Sequence, residues 1–376
     1  VYAGANPNEV VALNGMDGTE LWSYSDSAIY AFAQPHLYDV DNDGTLEVLV
    51  PLYYPTGLLV LRGDGSLYWR TIFPNENRWS IMSSPVAGDV DGDGYLEIFI
   101  AGHGNDLLRH AVVRRIMKLS YDGTILAQSF AWRSCSGGLS LADADNDGEF
   151  EIYMGDRHMY MGDGAYGKGV RSFWASDLTQ RWNHPDILCS SQCPVLADVN
   201  DDGILDVIVS NQRGGLVVLN STSGSAIRKD TGMRNLPGHY QLTVYDIDGD
   251  DHLEVLTADG THSSSWWAND EFAVFDLVDW TFDATIKAGT PIVRSWSDDP
   301  NRERGQFGPT LADVTGDGYM EIIICTDMGL SVFDKDYRLL FNDAWDRHGQ
   351  YAIVQDIDND GLVEVVISNA GHYIYA

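Results

Sequence analysis

Asp39-Val-Asp41-Asn-Asp43-Gly44-Thr45-Leu-Glu47, followed at once by the apolar run Val48-Leu-Val50, decides the fold of this chain because the pattern is written seven times. The second and third copies are Asp89-Val-Asp91-Gly-Asp93-Gly94-Tyr95-Leu-Glu97 and Asp143-Ala-Asp145-Asn-Asp147-Gly148-Glu149-Phe-Glu151. Asp198-Val-Asn200-Asp-Asp202-Gly203-Ile204-Leu-Asp206 and Asp246-Ile-Asp248-Gly-Asp250-Asp251-His252-Leu-Glu254 come next. The last two are Asp313-Val-Thr315-Gly-Asp317-Gly318-Tyr319-Met-Glu321 and Asp356-Ile-Asp358-Asn-Asp360-Gly361-Leu362-Val-Glu364. Successive copies start 50, 54, 55, 48, 67 and 43 residues apart. A period near this length belongs to propellers and solenoids, whose units bury their apolar faces against one another.

The spacing inside the motif suits a hard cation. Side-chain oxygens at positions one, three and five converge when the chain turns tightly, glycine at position six supplies a positive φ, and the position-seven carbonyl points inward. The acid at position nine closes the shell. Ligation by oxygen alone, with three or four carboxylates, favours calcium, and about seven sites are expected. An Asx-rich turn without metal would explain one copy, but not seven that each keep an acid at position nine. Thr315 removes a carboxylate from the sixth loop, which should bind more weakly. Asn200 keeps an oxygen, and Asp251 stands at position six because Asp tolerates the left-handed region.

Around each motif the pattern is β. Apolar entries such as Pro85-Val-Ala-Gly-Asp89 lead into the loop, and short buried runs such as Ile322-Ile-Ile324 leave it. Hairpins with Asp-Gly tips follow, as in Leu58 to Trp69 and Ile116 to Leu126. Four strands per repeat make a propeller blade. The expected fold is therefore all-β, a single β-propeller over residues 1–376 with seven four-stranded blades. Residues 1–25 read as strands two to four of a blade and 363–376 as strands one to three. The termini then either share the closing blade or form an eighth, incomplete one.

At these loops the sequence resembles the FG-GAP or VCBS class of calcium-binding propeller repeats, also seen in integrin α-subunit heads. The resemblance implies ligands at positions one, three, five, seven (carbonyl) and nine of every copy. A narrower resemblance joins Gly238-His-Tyr-Gln-Leu-Thr-Val-Tyr-Asp246 through Thr257-Ala-Asp-Gly-Thr261, and more weakly Gly305 to Asp313, to the family-eleven rhamnogalacturonan lyases. Those enzymes are secreted calcium propellers with eight blades, longer inter-blade loops and an extra β domain. Asp251 also stands where their motif has Gly.

The chain carries 56 acidic against 23 basic residues, a formal charge of −33. That charge argues against nucleic acid as a partner. The four acidic positions in seven copies, less Asn200 and Thr315, hold 26 of the 56 acids, so nearly half the acidity belongs to the loops. Seven calcium ions would bring the formal charge to −19. No apolar run is long enough to span a bilayer. The chain starts at Val1 without Met or a leader and reads as a mature or trimmed product.

Cys135 with Cys189, or Cys135 with Cys193, would make an inter-repeat disulfide; free thiols are the other reading, and Cys325 reads as a core residue. Asn220-Ser-Thr222 is a glycosylation sequon at an expected hairpin tip. Loops carrying His103, His158, Arg234, His239 and His262 either form a ligand face or bond backbone carbonyls between blades. Trp266 is either a sugar-stacking platform or core. The expected function is a non-catalytic extracellular binding, adhesion or assembly module, secreted or on a cell surface, with a protein or glycan partner on its loop face. The alternative is a secreted polysaccharide lyase acting on rhamnogalacturonan-like acidic glycans.

Overall fold

The computed structural model describes residues 2–6, 9–26, 35–52, 55–73, 79–81, 83–106, 111–132, 138–155, 169–187, 193–210, 215–229, 242–258, 271–287, 309–326, 329–344, 349–357, 360–369 and 374–375. Among these residues every regular element is a strand, and no helix is long and apolar enough to cross a membrane. They form eight antiparallel sheets, each built from consecutive stretches of chain. The first has Tyr2–Asn6, Glu9–Leu13 and Glu20–Ser25; the second has His36–Tyr38, Glu47–Leu52, Gly57–Leu61 and Leu67–Ile72. In the third, Val86–Gly88, Glu97–Asp106, Ala111–Leu119 and Ile125–Trp132 are joined by a short additional strand, Trp79–Ile81. Trp79–Ile81 extends the sheet by pairing with the far half of Glu97–Asp106, Gly102 opposite Ile81.

The fourth sheet runs Leu139–Ala142, Glu151–Gly155, Val170–Trp174 and Gln180–His184, and the fifth Val195–Ala197, Asp206–Ser210, Leu216–Asn220 and Ala226–Lys229. The sixth is Thr243–Tyr245, Glu254–Ala258, Glu271–Asp276 and Thr281–Lys287; the seventh is Thr310–Ala312, Glu321–Thr326, Gly329–Phe333 and Leu339–Ala344. Gly349–Gln355, Glu364–Asn369 and Ile374–Tyr375 make the eighth. The first sheet holds the three strands expected within residues 1–25, whereas the eighth has two strands within 363–376 and takes its first, Gly349–Gln355, from before the motif. Each acidic motif is the connection between the first two full strands of its sheet.

The chain groups into two compact units. One contains Val1–Leu196, Gly203–Val209 and Val217–Arg228; the other contains Ala197–Asp202, Ser210–Leu216 and Lys229–Ala376. Within each unit the same packing rule holds. The strand after each motif is apolar on both faces because successive side chains enter different sheet-to-sheet cores. Val48 and Val50 join Val10 of the first sheet, whereas Leu49 packs with Ile98 and Ile100 of the third. Phe99 and Ala101, one residue out of step, pack with Ile152 and Met154 of the fourth. In the second unit Ile322 and Ile324 face Leu256 and Val274, while Ile323 and Cys325 face Ile367. The continuous apolar runs in the sequence are thus strands clamped between two neighbours.

A second device ties neighbouring sheets at their outer edges. The Nε1–H groups of Trp22, Trp69 and Trp182, each third in its outer strand, donate to the carbonyls of Gly63 (2.9 Å), Tyr121 (2.7 Å) and Ser221 (2.6 Å) in the next sheet's hairpin turn. Each indole covers a glycine of that turn. A Cβ on Gly65, Gly123 or Gly224 would come within 2.5, 2.6 and 2.5 Å of the ring, and all three glycines have positive φ. Only glycine satisfies both demands. Trp182→Ala should therefore lower the unfolding free energy by about 3 kcal/mol in urea titrations. Gly224→Ala should cost more than about 1 kcal/mol through strain at φ +68° and collision with the indole. Unchanged midpoints in both variants would show that the indole does not hold these sheets together.

Candidate metal centre

Each described motif folds into the same turn, and its carboxylates shape it. The position-one Asp folds back on the loop's own N–H groups. Asp39 accepts from Asp43 N (3.0 Å) and Gly44 N (2.9 Å), and Asp143 from Asp147 N and Gly148 N (both 3.0 Å). Asp313 accepts from Gly316, Asp317 and Gly318, and Asp356 from Asp360 and Gly361. The position-five Asp then accepts the N–H of position seven: Asp43 from Thr45, Asp93 from Tyr95, Asp250 from His252, each within 2.9 Å. Position six is left-handed throughout, and Asp251 reaches φ 70° there, as expected of Asp. Position four is left-handed too, at Asn42, Gly92, Asn146, Asp201, Gly249 and Gly316, which explains its restriction to Asn, Gly and Asp.

The position-nine acid closes the turn from below. Oε2 of Glu47, Glu97 and Glu151 accepts the position-two N–H at 3.1 Å, and Glu254, Glu321 and Glu364 do the same at 2.7, 2.8 and 2.9 Å. Glu47, Glu97, Glu151, Asp206, Glu254 and Glu321 are all buried. Burial raises the pKa of Glu47 and Glu97 against the pull of those N–H groups, and nearby Asp side chains raise it further. Burial, opposed by the Ile247 N–H, pushes Glu254 up to about 7. A carboxylate held this way needs a positive partner to stay ionised.

Carboxylate oxygens of Asp39, Asp41 and Asp43, of Asp89, Asp91 and Glu97, of Asp143, Asp145 and Asp147, and of Asp246, Asp248 and Asp250 lie within 4.8 Å of one another. The 39–47 loop fits a cation best. Asp41 Oδ1 and Glu47 Oε1 are buried without a hydrogen-bond partner, and Glu47 is 0% exposed. In the 313–321 loop, by contrast, Thr315 uses its N–H (3.0 Å) and Oγ1 (3.4 Å) on Glu321, so the weakened loop partly closes on itself. Asp198, Asn200 and Asp202 form their turn through the N–H of Asn200 and Asp202. A further group, Asp250, His252 and Asp276, brings an imidazole Nδ1 to 3.3 Å from Asp276 Oδ2.

The other candidates are placed as follows. His103 lies in Glu97–Asp106, opposite Arg114 and Ser80. Asn220 ends a strand at the expected hairpin turn, where its Oδ1 accepts from Ser223 N and Oγ, both at 2.9 Å. Cys193 and Cys325 are free thiols. Asp358, His158, Arg234, His239, His262, Trp266, Cys135 and Cys189 lie outside the described residues.

Residues outside the motif also reach the loops, and the sequence reading did not find them. Tyr68 donates its hydroxyl to Asp41 at 2.9 Å, and Arg62 lies over the Tyr68 ring. Arg181 meets Asp145 (3.1 Å) and Glu151 (2.7 Å). Burial raises the pKa of Glu97, and the buried Lys118 opposes that rise in part. Tyr68, Arg181 and Lys118 sit on strands later in their sheets and Arg62 in the turn after one, so only the fold brings them back to the loop.

Comparison with known proteins agrees with this architecture. The FG-GAP-like repeat family matches over residues 198–257, from one acidic loop through the next. No curated protein matches the sequence. Among solved structures, quinohemoprotein alcohol dehydrogenase from Comamonas testosteroni is 12% identical with a TM-score of 0.65, over 96% of this chain and 68% of that one. The quinohemoprotein alcohol dehydrogenase ADHIIG from Pseudomonas putida HK5 gives 12% and 0.63, over 96% of this chain and 66% of that one. This chain therefore spans slightly less than two thirds of the latter's length. BamB from Moraxella catarrhalis is 11% identical with a TM-score of 0.58, over 99% of this chain and 89% of its own. At such identities the likeness speaks for fold alone. The chain is a β-propeller carrying an FG-GAP-like repeat.

Proposed function

We propose that this propeller is a calcium-stabilised, non-catalytic binding or assembly module that works outside the cell, where its loops meet a protein or glycan partner. The observation that carries the calcium reading is the pair of buried, unpartnered oxygens, Asp41 Oδ1 and Glu47 Oε1, beside the converging acids of the 39–47 loop. Oxygen-only donors and several carboxylates suit calcium better than a transition metal. The loop carboxylates also hold their own backbone turns, which is a structural use of acid side chains rather than a catalytic one. Sites of this kind, on the outside of a fold, suit the millimolar calcium of an extracellular space.

A ligand that binds only the folded state stabilises it by about 2.7 kcal/mol per site at a hundredfold excess over Kd. Chelation should therefore lower the melting temperature by roughly 10 °C, as several sites empty together. An unchanged melt would remove calcium from the reading. Thr315→Asp restores a carboxylate and should raise the melting temperature in calcium while leaving the chelated protein no more stable. For the non-catalytic part, acidic polysaccharide incubated with protein and calcium should yield no unsaturated product by ultraviolet absorbance. Sustained product formation that is lost in His239→Ala would establish a lyase instead.

Chelated protein should also respond to pH. With its pKa raised to about 7, Glu254 keeps its proton in the folded state between about pH 4.5 and 7, whereas the unfolded chain has lost it. The folded state binds more protons there, so stability falls as pH rises through that window. Calcium requires the ionised acid, so saturating calcium should flatten or reverse the trend. A chelated melting temperature that rises from pH 5 to 7.5 would contradict this account.

A further inference from the structure

We propose that the 143–151 loop is filled from within: Arg181 takes the place of the divalent cation, so this blade edge is calcium-independent while its neighbours are not. The inference rests on the calcium reading of the other loops and departs from it at one site.

Arg181 stands second in the outer strand Gln180–His184, immediately before Trp182. Tyr68 holds the same place before Trp69 in Leu67–Ile72. Both side chains reach back to the position-three Asp of their own sheet's motif. Tyr68 brings a neutral hydroxyl, 2.9 Å from Asp41 Oδ2. Arg181 brings a charge that spans two motif positions, one nitrogen 3.1 Å from Asp145 Oδ2 and the other 2.7 Å from Glu151 Oε1. Its side chain is 8% exposed, and the guanidinium lies 4.0 Å from the centroid of the Trp174 ring.

Asp145 Oδ2 and Glu151 Oε2 are also engaged by neutral donors. Thr222 Oγ1 donates to Asp145 Oδ2 at 3.2 Å. Glu151 Oε2 accepts from Ala144 N at 3.1 Å and from the Tyr153 hydroxyl at 3.2 Å. Asp143, Asp145 and Asp147 do converge, and Asp145 Oδ1 is left without a partner. A divalent ion held there would nevertheless face the guanidinium bonded to the same carboxylate. The 39–47 loop differs in its cation. Arg62 stays 3.8 Å from Asp41 and 3.7 Å from Asp43 and is 39% exposed, where Arg181 comes within 3.1 Å of Asp145 and 2.7 Å of Glu151 and is 8% exposed. Displacing Arg181 would break a charge-assisted hydrogen bond to Asp145, an ion pair with Glu151 and a ring contact with Trp174, all around a side chain only 8% exposed. Calcium affinity at 143–151 should accordingly be at least about tenfold weaker than at 39–47.

Hydrogen exchange by mass spectrometry, with calcium and with chelator, tests this on the wild-type chain. Peptides covering 39–47 should exchange faster on chelation, and those covering 143–151 should not. Equal loss of protection at the two loops would overturn the inference and leave the calcium reading standing. No response at any loop would remove both. Bound calcium counted by equilibrium dialysis gives a second measurement. Asp147→Asn should leave the count unchanged in the wild-type background and lower it by one in Arg181→Gln, where the vacated pocket accepts an ion. A count that falls with Asp147→Asn alone would show that the wild-type loop already holds calcium. If Arg181→Gln does not fold, the exchange pattern and the single Asp147→Asn variant decide.

Discussion

The ninth motif position carries the constraint on which the rest of the structure depends. A carboxylate there is buried at the root of the first hairpin of its sheet, where it closes the turn by accepting the N–H of position two. Burying a charge in an apolar wedge is costly unless a cation or several donors face it. The acids at positions one, three and five converge where such a cation would sit, and without one they worsen the repulsion. One requirement therefore explains the converging acids, the left-handed residues at positions four and six, and the basic or hydroxyl side chains that neighbouring strands bring to the loops.

Much of this was legible in the chain because it is local. The nonapeptide spans a single turn, so its spacing states its geometry directly, and Asp251 at φ 70° follows from the same reasoning as its glycine counterparts. The apolar runs were legible as buried strands, although their cause lies in the packing. Val48 and Leu49 are adjacent in sequence and belong to different cores. The strand Trp79–Ile81 was not legible, since three residues carry no periodicity and their pairing depends on the unusual length of Glu97–Asp106.

The tryptophan pegs and Arg181 were hidden for another reason. Trp69 finds Tyr121, and Arg181 finds Asp145, across 52 and 36 residues, and no spacing rule links an outer strand to a turn or to a motif so far away. Once the sheets are aligned, register exposes both. The residue third in the outer strand is Trp in three sheets, and the residue before it is Leu21, Tyr68 or Arg181. Swapping a phenol for a guanidinium at that one register position changes what meets the position-three Asp from a neutral hydroxyl to a charge. The nonapeptides at 39 and 143 carry the same acids at positions one, three, five and nine, because the difference lies outside them.

The loops are also connected to one another, which bears on how the charge acts. The Val40 carbonyl accepts from Leu96 N at 2.9 Å, and the Ala144 carbonyl accepts from Leu205 N at the same distance. Both acceptors belong to the position-two residue whose N–H is held by the buried acid of its own loop. One short chain of bonds thus runs from an acid, through the peptide units on either side of one residue, into the next loop, and hydrogen bonds in such chains polarise one another. Ordering one loop fixes the acceptor for its neighbour. In the reading proposed above, Arg181 makes the 143–151 loop a fixed point to which Leu205 of the next loop is bonded. Of the acidity behind the −33 of the sequence, the share in these loops, 26 of the 56 acids, therefore acts within the fold and not only on its surface.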